Sequence, residues 1–231
     1  MKILGIESAG ITASCAISED ELLLCEYTQN HKKTHSEKLM PLIVKALKDS
    51  DINLREIDAI AVSKGPGSYT GLRIGAAIAK GLAQPLNIPI AAVPTMKALA
   101  ANIFDSGRYI IPIIDAKGGR TYSGIYKWSD GELVTVKEQF PVNIDELIDI
   151  INDLGEEAVL NGDGSVNYKE ALQNKIHKKI FFASEKFNIL NAASVSYVGY
   201  QLAKSNKTVS CFEFAPEYLR PSQAERMCGG K

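Results

Sequence analysis

The order of apolar and polar positions writes one pattern twice along the chain. Residues 2 to 8 (KILGIES) form an apolar run of buried-strand length, and runs at 13 to 18 and 22 to 28 follow it with Glu19-Asp20 at a turn. That predicts a three-strand meander. Leu39, Ile43, Ala46 and Leu47 fall at helical spacing within 36 to 49, and IDAIAVS at 57 to 63 reads as a buried strand. A second helix, over 71 to 84, follows the turn GPGSYTG; then IPIAAV at 88 to 93 reads as a strand and MKALAANIF as a short helix. From residue 109 the order starts again. YIIPIID, RTYSGIYK and ELVTVKEQF make a meander with a turn at Ser129-Asp130-Gly131. A helix at 144 to 154, the strand EEAVLNG, the helix NYKEALQNK, the strand KIFFA and a helix at 188 to 204 complete it. Each half reads βββαβαβα, so the predicted class is α/β: two similar lobes about a cleft, residues 1–106 and 107–214, divided near Asp105-Ser106-Gly107. Residues 215–231 read as a docking tail with Tyr218 and Leu219 as anchors, its last residues expected to fray.

Composition narrows the partners. In 231 residues, 45% are hydrophobic, enough for a real core, and 26 Lys plus Arg against 27 Asp plus Glu leave a net charge of -1. No global basic field draws the chain onto nucleic acid or anionic lipid. The longest weakly polar stretch, Ile74 to Leu86, is interrupted by Lys80 and Gln84 and falls short of the ~20 apolar residues that span a bilayer. The N-terminal apolar run reaches Glu7 and does not resemble a secretory signal, so a cytoplasmic protein without membrane contact is expected. Cys15, Cys25, Cys211 and Cys228 include no CxxC pair and read as reduced thiols.

The helix at 71 to 84 carries its polar side chains Arg73, Lys80 and Gln84 in one stripe, leaving more apolar face than one sheet needs. Gly71, Gly75 and Ala79 recur every four residues and suggest a groove where the backbone of another helix approaches. The expected partner-binding set is Leu39, Ile43 and Leu47 of the first helix with Tyr69, Gly71, Arg73, Ile74, Gly75, Ala77, Ile78 and Ala79. It would bury on the order of 1,200 to 2,000 Å². The alternative is that the helix is wrapped by its own lobe. On the partner reading, Gly75→Arg should abolish partner binding and leave the fold intact.

Candidate chemistry is thin. The GPGSYTG turn has neither the GxGxxG nor the Walker A spacing, and reads as a tight turn with Ser68 or Thr70 capping the helix. His31 and His35 are four apart, but either Thr34 and Glu37 form a capping box or the helix starts later, at Pro41, and both leave His31 before the helix, with no third ligand committed. No metal is expected. Ser68 with His35 is the one nucleophile and base pair worth naming for a peptidase, and neither a nucleophile elbow nor HExxH accompanies it. Lys32, Lys33 and the cluster Lys175, His177, Lys178, Lys179 lack interleaved aromatic residues for stacking RNA bases.

Five segments carry a family resemblance: ILGIES at the start, HSEKLMPLI at 35 to 43, SKGPGSYTGLRIG at 63 to 75, DAKGGRTYSGIY at 115 to 126 and PEYLRPSQAE at 216 to 225. Together they resemble the TsaB (YeaZ) family, within the actin, sugar kinase and ribonuclease H-like ATPase superfamily. The resemblance implies an actin-like fold and a non-catalytic subunit for threonylcarbamoyl transfer to adenosine 37 of tRNA. It implies a heterodimer with the catalytic paralogue TsaD, action with the ATPase TsaE, a homodimer when isolated, and tRNA contact only through the complex. No cofactor is implied for this subunit alone; ATP or ADP and a metal are expected on the partner subunits. In ATP-using members an acid ending the first strand holds a metal through water, which points to Glu7, with Asp115 at the matching place in the second lobe. The turn after Glu7 reads SAGIT in place of a glycine-threonine phosphate loop, and Gly162 and Asp163 put a carboxylate where phosphate would lie. Lys117 could still meet an anion. A vestigial nucleotide site is therefore expected at Glu7, Asp115, Lys117, Gly162 and Asp163, with an ATPase or peptidase-like enzyme as the alternative.

Overall fold

The computed structural model describes residues 1–30, 35–104 and 107–219. Three strands, β1 (Lys2–Glu7), β2 (Ala13–Glu19) and β3 (Leu22–Gln29), lead into α1 (His35–Asp49), β4 (Ala59–Gly65), α2 (Tyr69–Leu86), β5 (Ile90–Pro94) and α3 (Thr95–Ala100). The second series is β6 (Tyr109–Asp115), β7 (Arg120–Ser129), β8 (Glu132–Asn143), α4 (Ile144–Asp153), β9 (Ala158–Asn161), α5 (Asp163–Asn167), α6 (Lys169–Lys175), β10 (Ile180–Phe182) and α7 (Ala192–Lys204). The helix expected over 167 to 175 is α6, and a short helix that was not expected, α5, precedes it because the chain turns from Gly162 straight into helix. Likewise the helix expected from 188 begins at Ala192, capped by Asn191, whose side chain accepts from the Ser194 amide at 2.9 Å.

Both sheets have one order, β3-β2-β1-β4-β5 and β8-β7-β6-β9-β10, with the meander antiparallel and the outer pairs parallel. The central strand of each is apolar on both sides because both faces are covered. Leu4 and Ile6 of β1 pack under α1 and α2 with Leu39, Ile43, Ala76 and Ala79. Ile3 turns the other way, against Val195 and Val198 of α7. The last helix of the chain therefore roofs the first sheet. In exchange α3, from the first half, packs Met96 and Leu99 against Ile110 and Tyr126 of the second sheet. The first sheet ends at Pro94 and the second begins at Tyr109, but these two helices cross that division and lock the halves together. Among the described residues no helix is long and apolar enough to cross a membrane.

Candidate functional site

Where the two central strands end, the lobes part around a cleft of about 960 Å³. Ala9 to Thr12, Pro66 to Tyr69 and Leu72 line one wall, Ile114 to Lys117, Tyr122, Asp163 and Val166 the other, and Glu217 to Leu219 cross its edge.

Glu7 ends β1 but is wholly buried and does not line the cleft. Its carboxyl accepts from the Ala9 amide at 2.5 Å, the Gly10 amide at 3.3 Å and the Ser63 hydroxyl. Burial pushes it up to about 7, against the pull of those hydrogen bonds. The turn that would present its amides to a phosphate gives two of them to the protein's own carboxyl. Asp115 ends β6 at the equivalent place and meets different surroundings. It accepts from the Lys117 amide at 2.7 Å, the Lys117 ammonium at 3.2 Å, Asn167 at 3.0 Å and the Tyr168 hydroxyl at 3.0 Å. Burial alone would raise this carboxyl; the four donors outweigh it and hold it below its ordinary value. Asp163 accepts from the Asp115 amide at 3.0 Å, and its carboxyl is raised by desolvation. Gly162 turns the chain at φ 92°, where an added Cβ would stand 2.2 Å from the Ile113 carbonyl oxygen.

The structure thus gathers Asp115, Lys117 and Asp163 on one wall, Gly162 turning the chain into Asp163, and leaves Glu7 sealed behind the other. These groups offer the phosphates of a nucleoside triphosphate little: Lys117 is paired with Asp115 at 3.2 Å, and the Asp163 carboxylate stands beside Asp115. The other two candidate chemistries are also taken up locally. Ser68, and not Thr70, caps α2, accepting from the Gly71 amide at 3.2 Å. His35 places Nε2 at 3.1 Å from the Gly10 carbonyl, and no hydrogen bond joins it to Ser68 among the described residues. His31 and Thr34 of the proposed pair and capping box lie outside the described residues, among which no cluster of three His, Cys, Asp or Glu could hold a metal ion.

The small-residue stripe of α2 corrects one expectation. A Cβ on Gly71 would fall 2.0 Å from the Ser8 carbonyl oxygen and one on Gly75 2.3 Å from its hydroxyl oxygen, while Ala79 has no exposure. These positions bring α2 close to the turn after β1 and to β4; they are not a groove for another chain. Leu39 and Ile43 belong to the same core. Gly75→Arg would therefore break the fold before it tested any partner. The outward sides of α1 and α2 still carry apolar surface: Val44 is 60% exposed, Met40 and Tyr69 are exposed, Arg73 and Ala77 face solvent, and Leu47, Ile74 and Ile78 are half-buried. Met40 and Val44 were not in the expected set, yet their four-residue spacing, out of phase with Leu39, Leu42 and Ile43, signals a second face.

The tail is strapped to this helix. The Tyr218 ring stacks on Tyr69 at 4.7 Å, Arg73 lies 4.0 Å over the Tyr69 ring, and its Nε donates to the Tyr218 hydroxyl at 3.2 Å. The Glu217 amide donates to the Lys64 carbonyl at 2.6 Å and its carboxylate pairs with Lys64 at 2.9 Å. Gln139 of β8 reaches across to the Gly65 carbonyl at 2.8 Å and to Glu217 at 3.1 Å. In the second lobe one member of the lysine cluster has an aromatic neighbour, Lys179 over Phe181, a ring it shares with Arg108, while Lys169 lies over Phe182. The surface is largely self-neutralised, Lys179 and Arg108 pairing with Glu157 and Lys175 with Asp145.

Two α/β lobes of identical strand order, closed around a cleft at the ends of their central strands, define an actin-like ATPase fold. A hexokinase of the ROK class from Thermus thermophilus shares it with a TM-score of 0.54 and 12% identity, covering 89% of this chain and all of that one. YeaZ from Pseudomonas aeruginosa superposes with a TM-score of 0.79 at 21% identity over 94% of this chain and 99% of its own. Residues 23–229 match the family of TsaD, tRNA N6-adenosine threonylcarbamoyltransferase. TsaB of Bacillus subtilis (strain 168), a tRNA threonylcarbamoyladenosine biosynthesis protein, is 31% identical over 225 residues, 97% of this chain and 96% of its own. The chain belongs to the TsaB family.

Proposed function

We propose that the chain is a non-catalytic subunit in the synthesis of threonylcarbamoyladenosine on tRNA, docking a TsaD-like catalytic paralogue through the outward sides of α1 and α2. One observation carries this reading: the outward sides of α1 and α2 expose Met40, Val44 and Ala77 beside half-buried Ile74 and Ile78, while two amides of the cleft's first turn and its Lys117 are already engaged. The family supports the pathway. On this reading the heterodimer buries on the order of 1,200 to 2,000 Å². The isolated chain pairs with a second copy through the same strip, TsaE joins the complex, and ATP or ADP and a metal reside on the partner subunits. tRNA is met through the complex, in the cytoplasm. The test changes only solvent-facing positions, Val44→Asp with Ala77→Asp. Copurification with TsaD and the threonylcarbamoyladenosine content of tRNA should fall together while the melting temperature stays near the parent's. Undiminished copurification would remove this face from the interface. Magnesium-dependent ATP turnover by the isolated chain would replace the reading with an enzymatic one.

A further inference from the structure

We propose that Gln139 and Glu217 form a latch that holds the two lobes together at the edge of the cleft, and that Tyr218 ties this latch to the outward side of α2. The lobes meet at the base of the cleft, where Ala9 and Leu72 share a core with Ile110 and Tyr126 of the second sheet. Above that base the walls stand apart around about 960 Å³, and lobes that do not pack across their cleft move relative to one another by default. What limits the movement has to reach from one lobe to the other. Gln139 does so. It stands on β8, and its Nε2 donates to the Gly65 carbonyl at the end of β4 at 2.8 Å and to the Glu217 carboxylate at 3.1 Å. The Met96 amide donates to its Oε1 at 3.4 Å. Both of its N–H groups thus face acceptors and its oxygen faces a donor, an arrangement that neither a carboxylate nor an alkyl group at position 139 reproduces.

Glu217 supplies the other half. Its amide donates to the Lys64 carbonyl at 2.6 Å and its carboxylate pairs with the Lys64 ammonium at 2.9 Å, so this residue is held to the first lobe beside the carbonyl that Gln139 reaches. The Lys64 and Glu217 side chains are 31% and 40% exposed, and ion pairs that solvated contribute little. The latch is therefore poised to release. The next residue, Tyr218, stacks on Tyr69 at 4.7 Å and accepts from the Arg73 Nε at 3.2 Å on the outward side of α2. An occupant seated on Tyr69 and Arg73 displaces Tyr218 and pulls on Glu217, so occupancy of that side and the width of the cleft are coupled, in both directions. Only the identity of the occupant rests on the TsaD partnership proposed above; the latch and its tie belong to the chain alone.

Ile11 and Val166 line opposite walls of the cleft and are 72% and 52% exposed, so spin labels on Ile11→Cys and Val166→Cys report its width by pulsed electron paramagnetic resonance. The labels go onto the full chain with Cys25, Cys211 and Cys228 replaced by serine, Cys15 being buried. Gln139→Ala should raise the fraction of molecules at the longer distance about tenfold, the weight of two hydrogen bonds, one of them to a carboxylate. Glu217→Ala leaves the second sheet untouched and should raise it about threefold, which keeps the test open should Gln139→Ala fold poorly. Tyr218→Ala should raise it about twofold through the tie alone. Parent distances in Gln139→Ala and Glu217→Ala overturn the latch. A cleft that opens in those two and keeps the parent's width in Tyr218→Ala overturns the tie to α2. Neither result bears on copurification with TsaD, so a failed latch and a failed partnership are told apart.

Discussion

The two central strands end in acids that duplication placed alike and that their turns have made opposites. Glu7 is enclosed by amides of its own turn and by Ser63, is cut off from the cleft, and has its proton affinity raised by burial. Asp115 sits at the cleft wall among Lys117, Asn167 and Tyr168, which hold it as an anion despite its burial. Strand order fixes where an acid stands; the residues of the following turn fix what it can do. In the first lobe Ser8 and Ala9 of the turn have become part of the core under α2. In the second it remains a cation-bearing hairpin.

The comparison breaks most severely if the first turn is pried from α2. Gly71→Val puts a Cβ where the Ser8 carbonyl oxygen stands, and backbone cannot swing aside as a side chain can. A loss of at least about 3 kcal/mol is expected in urea unfolding. Parent-like stability would mean that α2 is not seated on the turn. Glu7→Gln acts next. Because the folded chain binds this proton more tightly than the unfolded one, the stability it contributes is complete below about pH 4.5, declines toward pH 7 and is gone above it. That span corresponds to about 3 kcal/mol. The glutamine variant should unfold with little pH dependence from 4.5 to 7 and match or exceed the parent at pH 8. A parallel pH profile in the two proteins would mean that Glu7 is not the titrating group.

Much of this was legible in the amino-acid order, and the failures have one cause. The repeated meander gave both sheets, since apolar run length and turn residues are local signals. Helical period also separated the faces of α2, yet it could not say which face meets which neighbour. Gly71 and Gly75 are as compatible with a foreign helix as with Ser8, and only the path of the turn after β1 decides. The burial of Glu7 was invisible for the same reason: Ser63, its partner, is 56 residues away. The exchange of α3 and α7 between sheets left no mark in composition, because each helix is apolar enough for either.

Asp115→Asn sharpens the contrast in the opposite pH direction. Its folded carboxyl is held below the ordinary 3.8, so its contribution is present above that pH and lost on acidification through the folded value. The variant should cost about 1 to 2 kcal/mol at pH 7 and converge on the parent in strong acid, by chemical denaturation. Convergence at neutral pH would mean that the four donors contribute nothing.

The smallest effect tests how far the first wall needs the tail. Tyr218→Ala removes a ring stacked on Tyr69 at 4.7 Å and an acceptor for Arg73, on a surface that is partly solvated. Such a pair contributes about 0.5 to 1 kcal/mol, too little to move global unfolding far. It should instead show locally. The Glu217 amide, bonded to the Lys64 carbonyl at 2.6 Å, should exchange its hydrogen about threefold faster, while the amides of Ile60 and Ala61 in the strand beneath keep the parent's rates. Unchanged exchange at Glu217 would assign the strap to its pairing with Lys64 and Gln139, leaving the aromatic contact a passenger. Faster exchange throughout β4 would carry the lesson further, because the edge of the first sheet would then owe its order to a segment more than 150 residues downstream.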